Sequence, residues 1–231
     1  AYRYSDYDSG VTTDTYKVGL GYAPIEALRL RGSYSRAVRA PNVIERFSAQ
    51  GFNLFDMDED PCGVAMTATL AQCVATGVPA GQYGTAAIDS PAGQYNYLGG
   101  GDPDLTPEEA DTFTLGFVAR PDFLPRFDIS VDYFSIEITN LISTVGAQNS
   151  INACYDQNLA AACARIQRNA NGQLWVGTGN VIDLNTNVGG LKTAGVDINS
   201  NYRIDLEDMG IGTGNYGSLG FNFTGTYLEE L

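Results

Sequence analysis

Residues Gly99 to Phe117 read GGGDPDLTPEEADTFTLGF, and two local signals in them disagree. Thr106, Pro107 and Glu109 spell a capping box with proline in the first turn, the usual opening of a helix. From Thr112 to Phe117, however, polar and apolar residues alternate with period two, which suits a half-buried strand and no helix. Only three or four residues separate the cap from the alternation, too few to offset the cost of nucleating a helix. The strand prevails, starting near Glu109, with Pro103 and Pro107 shaping an exposed turn of at most one helical turn.

The same alternation recurs on both sides of this stretch. In TYKVGLGY, Tyr16, Val18, Leu20 and Tyr22 oppose Lys17, Gly19 and Gly21; in LRLRGSYS, Leu28, Leu30 and Tyr34 oppose Arg29, Arg31, Ser33 and Ser35. Phe113, Leu115, Phe117 and Ala119 oppose Thr112, Thr114 and Gly116, and Phe127, Ile129, Val131 and Tyr133 oppose Asp128, Ser130 and Asp132. Beyond Tyr133 the parity flips to Phe134, Ile136 and Ile138, which a bulge or an exit from the apolar zone explains. Ala194 to Ile204 and Leu219 to Tyr227 repeat the pattern, and AYRYSDYD opens it, so about seven strands are legible.

The connections alternate in length. Short links fall at Ala23 to Ala27, Arg120 to Arg126 and about Asp205 to Asn215, whereas long ones cover about 37–108 and 140–188. Soluble domains seldom carry such long connections without structure of their own, while outer-membrane barrels have short periplasmic turns and long external loops as a rule. Tyr22, Tyr34, Tyr133, Tyr202 and Tyr227 stand at or near the ends of apolar stripes, as interfacial girdles require. No apolar run is long enough for a transmembrane helix, but a barrel strand crosses with about 9–11 residues. The sequence thus reads as all-β: an antiparallel, up-and-down transmembrane β-barrel segment with two long extracellular loops containing short helices. A soluble β-sandwich, secreted as a carbohydrate-binding domain or adhesin, is the rival architecture, and a passive porin is a second.

Composition narrows function by exclusion. Thirteen basic against 27 acidic residues, a net charge of -14, argue against nucleic acid as a partner. The absence of histidine removes the usual general base and metal ligand, and nothing in the chain points to an enzyme, a cofactor or a resident metal. Cys62, Cys73, Cys154 and Cys163 form two local couples without a CxxC pair, which suggests two disulfides and an oxidising compartment. Pairing of Cys154 with Cys163 demands a break in INACYDQNLAAACARIQR near Asp156 to Leu159, because nine steps of straight helix would hold them about 13 Å apart. The glycines of GTGNYG (Gly212, Gly214, Gly217) precede a strand and read as a turn rather than a dinucleotide loop. The run DMDEDP (Asp56 to Pro61) has proline where a calcium loop needs glycine and reads as a solvated acidic loop, with weak surface calcium binding as the alternative.

Four runs in order carry a family resemblance: LRLRGSYSRAVRAPNVIERF (Leu28 to Phe47), GDPDLTPEEADTFTLGF (Gly101 to Phe117), FDISVDYFSIEITNLI (Phe127 to Ile142) and GGLKTAGVDINSNYRI (Gly189 to Ile204). They resemble the C-terminal barrel half of TonB-dependent outer-membrane receptors. The resemblance implies that residues 1–231 are a fragment of a barrel of about 22 strands closed by an N-terminal plug. It further implies location in the outer membrane of a Gram-negative bacterium, contact with outer-membrane lipid, and coupling to the TonB complex through the plug region, which this chain does not include. The implied activity is energised import of a scarce small ligand such as a siderophore, cobalamin or saccharide. Arg29, Arg31, Asp128, Asp132, Asp197 and Asn199 are then expected to face the lumen. Arg36, Arg39, Tyr83, Tyr95 and Tyr97 are the candidates for ligand contact, since exposed aromatics stack on flat rings and arginine grips carboxylates.

Overall fold

The computed structural model describes residues 1–8, 10–207, 209–210 and 217–230. In chain order the strands are β1 (Tyr2–Asp6), β2 (Thr12–Ile25), β3 (Leu28–Arg39), β4 (Gly51–Asp56), β5 (Gln94–Gly99), β6 (Glu108–Ala119), β7 (Phe127–Ser143), β8 (Ile166–Gln167), β9 (Asn180–Ile182), β10 (Thr186–Asp205) and β11 (Ser218–Glu230). The α-helices are α1 (Val43–Phe47), α2 (Leu70–Ala75), α3 (Ala147–Tyr155) and α4 (Ala160–Cys163). The chain divides into two compact units: one of Ala1–Ala40, Thr106–Leu141 and Gly189–Leu231, the other of Pro41–Leu105 and Ile142–Val188.

The first unit is a seven-stranded sheet in the order β1-β2-β3-β6-β7-β10-β11. These are the seven strands legible in the sequence. The pairings resolved between β1 and β2, β2 and β3, β3 and β6, β6 and β7, and β10 and β11 are all antiparallel. The sheet is open, with β1 and β11 at its edges. The Gly99 to Phe117 conflict ends in favour of the strand, since β6 begins at Glu108 and only a turn precedes it. Elsewhere the same capping chemistry does open helices: Asn42 with Glu45 caps α1, and Thr69 with Gln72 caps α2. There the chain completes at least a turn of helix before any strand begins, with β4 starting at Gly51 after α1 has ended at Phe47.

Register sorts the side chains by face. Leu30 lies opposite Phe117 and Tyr34 opposite Phe113, while Leu115 lies opposite Tyr133 and Phe117 opposite Val131. All of these share one apolar face, and it is uncovered, with Leu20 77% and Leu115 57% exposed. A sandwich would bury such a face against a second sheet. The pairing of β6 with β7 runs from Glu109 opposite Thr139 to Ala119 opposite Ile129 without a shift, so no bulge explains the parity flip. Phe134 instead sits on the polar face opposite Thr114. On the apolar face the strands leave their apolar zone for Ser135 and Glu137. The GTGNYG turn lies outside the described residues except for Gly217.

One glycine is required by its surroundings. Gly116 lies between Arg31 of β3 and Asp132 of β7 in the ladder, and a Cβ there would stand 2.1 Å from Asp132 Oδ1 and 2.6 Å from the Val131 carbonyl oxygen. The gap lets the Arg31 guanidinium reach across β6 to both oxygens of Asp132, with Nε donating to Oδ1 at 2.7 Å. Gly116→Ala is expected to cost about 1–3 kcal/mol by overpacking. At Gly220, where a Cβ meets nothing within 4 Å, the same change is expected to stay within about 0.5 kcal/mol. Denaturant unfolding of the two variants in lipid bilayers checks the difference.

Candidate functional site

The second unit is built by both long connections together. β4 and β5 come from the first, β8 and β9 from the second, and they form one four-stranded sheet in the order β4-β5-β9-β8. The seam is the parallel pair of β5 and β9, where Tyr97 partners Val181 and Leu98 partners Ile182. Beside it, the Asn96 N–H donates to the Leu174 carbonyl at 3.0 Å, and Asn96 Nδ2 donates to the Gly179 carbonyl at 3.0 Å. Val78, Ile88 and Tyr95 from one connection pack with Ile151, Leu174 and Val181 from the other. Both expected disulfides are present, Cys62 with Cys73 and Cys154 with Cys163. The second closes over the break between α3 and α4, where the sequence required one.

An ion pair buried on both sides crosses this core. The side chains of Arg168 and Asp60 are each 0% exposed, with Nη1 donating to Oδ2 and Nη2 to Oδ1, both at 2.8 Å. Arg168 Nη1 also donates to the Gly172 carbonyl at 2.7 Å and Nη2 to the Tyr155 hydroxyl at 3.0 Å, while that hydroxyl meets Thr76 Oγ1 at 2.7 Å. Burial works against the Arg168 charge, but the hydrogen bonds and field of Asp60, with Tyr155 adding, hold its pKa above the ordinary arginine value. Asp60 corrects the reading of DMDEDP as a wholly solvated loop: its carboxylate turns inward to a cation. It is thereby withdrawn from any set of alternate calcium ligands, and among the described residues no cluster of three or more His, Cys, Asp or Glu is placed to hold a metal.

The five candidate contacts divide between the two units. Tyr95 is a correction. Its ring is fully buried and packs on Phe55, and its hydroxyl accepts from the Ser90 N–H at 3.0 Å, so it holds the core and is not offered to a ligand. Tyr83 is partly buried and donates to the Ala68 carbonyl at 2.8 Å, and Tyr97 packs partly exposed against the same core. Arg39 lies on the polar face of the sheet, paired with Glu108. Arg36 falls on the opposite, apolar face, where it pairs with Glu109 just beyond the Tyr34 to Asp111 hydrogen bond of 2.7 Å. That parity separates Arg36 from Arg39.

Burial pushes the Tyr95 phenol up to about 12, with the fields of Asp60 and Asp89 adding and the Ser90 hydrogen bond opposing. Since a free phenol titrates near 10, this group stabilises the folded unit fully below about pH 10. That contribution is lost as pH rises through about 12. A tyrosinate absorbance titration is expected to show one late-ionising phenol whose ionisation coincides with loss of near-UV circular dichroism.

On the sheet, Arg29 and Arg31 of β3 and Asp128 and Asp132 of β7 share the face of Gly116, and Asp197 and Asn199 of β10 join it through Asn201, which has their parity and meets Asp128. Besides the Arg31 to Asp132 pair, Asn201 Nδ2 donates to Asp128 at 3.0 Å, the Thr226 hydroxyl to Asp197 at 2.6 Å, and Ser33 and Thr114 meet at 2.8 Å. Opposite faces therefore carry opposite chemistry: hydrogen-bonded polar groups on one, an uncovered apolar stripe on the other. The family described as TonB dependent receptor-like, beta-barrel, matches residues 1–230. The chain belongs to the TonB-dependent receptor family.

TonB-dependent receptors of solved structure share its fold. The siderophore receptor PirA from Acinetobacter baumannii aligns with a TM-score of 0.56 at 16% identity, over 99% of this chain and 24% of that one. A mutant of the ferric enterobactin receptor PfeA from Pseudomonas aeruginosa, in complex with enterobactin, aligns with a TM-score of 0.54 at 13% identity, over 99% and 24%. The chain thus spans about a quarter of the length of these TonB-dependent receptors. No curated protein sequence matches it. TonB-dependent receptors are transport proteins of the Gram-negative outer membrane. The open sheet is what a segment of such a barrel presents.

Proposed function

We propose that this chain is part of the barrel wall, from its C-terminal half, together with two extracellular loops, of an active importer in a Gram-negative outer membrane. It takes up a scarce small ligand with energy supplied by the TonB complex through the receptor's plug. The observation that carries this is the two-faced sheet, whose uncovered apolar stripe suits lipid and whose polar face suits a water-filled lumen. A ferric siderophore is the first ligand class in this reading, because PirA and PfeA are siderophore receptors by description. Cobalamin and saccharides follow.

The loop unit is the ligand-facing part, with Tyr83 and Tyr97 as stacking surfaces and Arg39 as the cation on the polar face. Alanine at all three positions of the intact receptor is expected to weaken ligand binding at least tenfold. Unchanged affinity would remove them from the ligand path. Fractionation tests the membrane placement itself. Extraction only by detergent supports the wall reading, and release by salt or carbonate favours the secreted β-domain.

A further inference from the structure

The two disulfides of the loop unit differ in what covers them. Cys62 and Cys73 are both 0% exposed, although the bridge joins residues only 11 apart in the first long connection. Part of their cover comes from the second connection. The Tyr155 hydroxyl lies 3.4 Å from Cys62 Sγ, and Ile151, Cys154 and Leu174 share their buried cluster. Cys163, in the other bridge, is only partly buried. The neighbours of the first bridge are also the groups that receive the second connection. The Cys62 N–H donates to Asp60 Oδ1 at 2.9 Å, and the Thr76 hydroxyl donates to the Cys73 carbonyl at 3.0 Å. With the Thr76 proton placed there and Arg168 Nη2 donating to the Tyr155 oxygen, the Tyr155 proton goes to Thr76 Oγ1. A one-way hydrogen-bond chain thus runs from Arg168 through Tyr155 and Thr76 to the backbone of Cys73. Gln72, on the helix α2 that carries Cys73, adds donation from Nε2 to the Tyr155 carbonyl at 2.9 Å and to Asn158 Oδ1 at 2.7 Å.

We propose that closing Cys62 with Cys73 is the step that permits the two long connections to join: the first is oxidised while still apart, and only then takes up Tyr155 and Arg168. Oxidation requires access. The thiolate of one cysteine attacks the disulfide of a donor protein in the oxidising compartment, forming a mixed disulfide and releasing one donor thiolate. The thiolate of the other cysteine then attacks the bonded Sγ and displaces the second donor sulfur. Two electrons pass to the donor, which leaves as a dithiol with the two protons the cysteines gave up. No donor protein reaches sulfurs enclosed at 0% exposure, so the exchange precedes docking. The remainder of a longer receptor can only add to that cover. The bond also prepares the docking surface. Asp60 and Thr76 flank the bridge on either side, and closing it removes from the undocked chain the conformations that hold those two acceptors apart.

The test follows amide exchange in β9 of the full-length receptor, which is unfolded with a reductant, refolded in lipid vesicles with its thiols kept reduced, and then given glutathione disulfide. Exchange in β9 is expected to be at least a hundredfold faster before the oxidant than after it. Quenching at intervals with N-ethylmaleimide, followed by peptide mass spectrometry, should show Cys62 and Cys73 lost as thiols before protection of β9 appears. Protection of β9 while those two cysteines are still thiols overturns the proposal. Cys62→Ala/Cys73→Ala is expected to leave β9 in its fast state, whereas Cys154→Ala/Cys163→Ala stays within about tenfold of wild type. Equal acceleration by the two pairs would make each bridge an ordinary staple and overturns the proposal as well. If the reduced receptor does not refold, the two alanine pairs, made and oxidised in cells, carry the comparison by themselves.

Discussion

Asp60→Ala is expected to remove about 3–5 kcal/mol from the stability of the unit formed by the two long loops. The size follows from burial on both sides. Arg168, whose side chain is 0% exposed, loses the carboxylate that accepts from both of its terminal nitrogens, so an uncompensated charge is left in the core. The Cys62 N–H, which donates to Asp60 Oδ1 at 2.9 Å, loses its acceptor as well. Amide exchange in β5 and β9 of the intact receptor should then accelerate roughly a hundredfold to several thousandfold, because those strands are protected by the same cooperative unit. Asp60→Leu/Arg168→Met is expected to recover most of the loss, since apolar replacement of both partners of a buried pair is often neutral or better. Equal exchange in wild type and Asp60→Ala would mean that the pair holds nothing.

Leu115→Arg is expected to cost about 2–4 kcal/mol in the bilayer, and Thr114→Arg under about 1. Leu115 stands in the middle of the apolar stripe, opposite Gly32 on one side and Tyr133 on the other. Its side chain covers Gly32, with Cδ1 3.6 Å from where a Cβ would be. Thr114 is one residue away and faces the other way, toward Ser33. One step along a strand exchanges the two media, so adjacent positions give the sharpest contrast a sheet allows. Unfolding by denaturant in lipid vesicles measures both variants. Equal costs would place both faces in the same medium and end the reading of a barrel wall.

The wall is legible in the residues because period two sustained over eight or more positions suits a strand and puts a helix's apolar residues on every side at once. TYKVGLGY and LRLRGSYS contain their own orientation, and pairing in chain order adds the register. The loop unit is less legible. β4 and β5 are six residues each, and QYNYLG alternates as a strand does, yet a short alternation inside a long connection reads as loop. Tyr95 reads as an exposed stacking surface for that reason and is a core residue. Asp60 meets Arg168 at a sequence separation of 108, and no local pattern announces such a contact. Arg36 is a different case: its parity with Leu30 and Tyr34 is open to view, but the apolar stripe ends below it, and face and height along the strand have to be known together.

The seam between β5 and β9 bears on how the two long connections can diverge over generations. Loops on a barrel rim are ordinarily free to diverge one at a time, each answering only to its own two strand ends. Here the halves of a sheet, the members of an ion pair and the walls of a core are shared between two excursions of the chain. A substitution in one excursion is therefore screened against the other, and recombination that replaces one alone separates Asp60 from Arg168. The two are inherited, and could be grafted onto another barrel, only as a matched set.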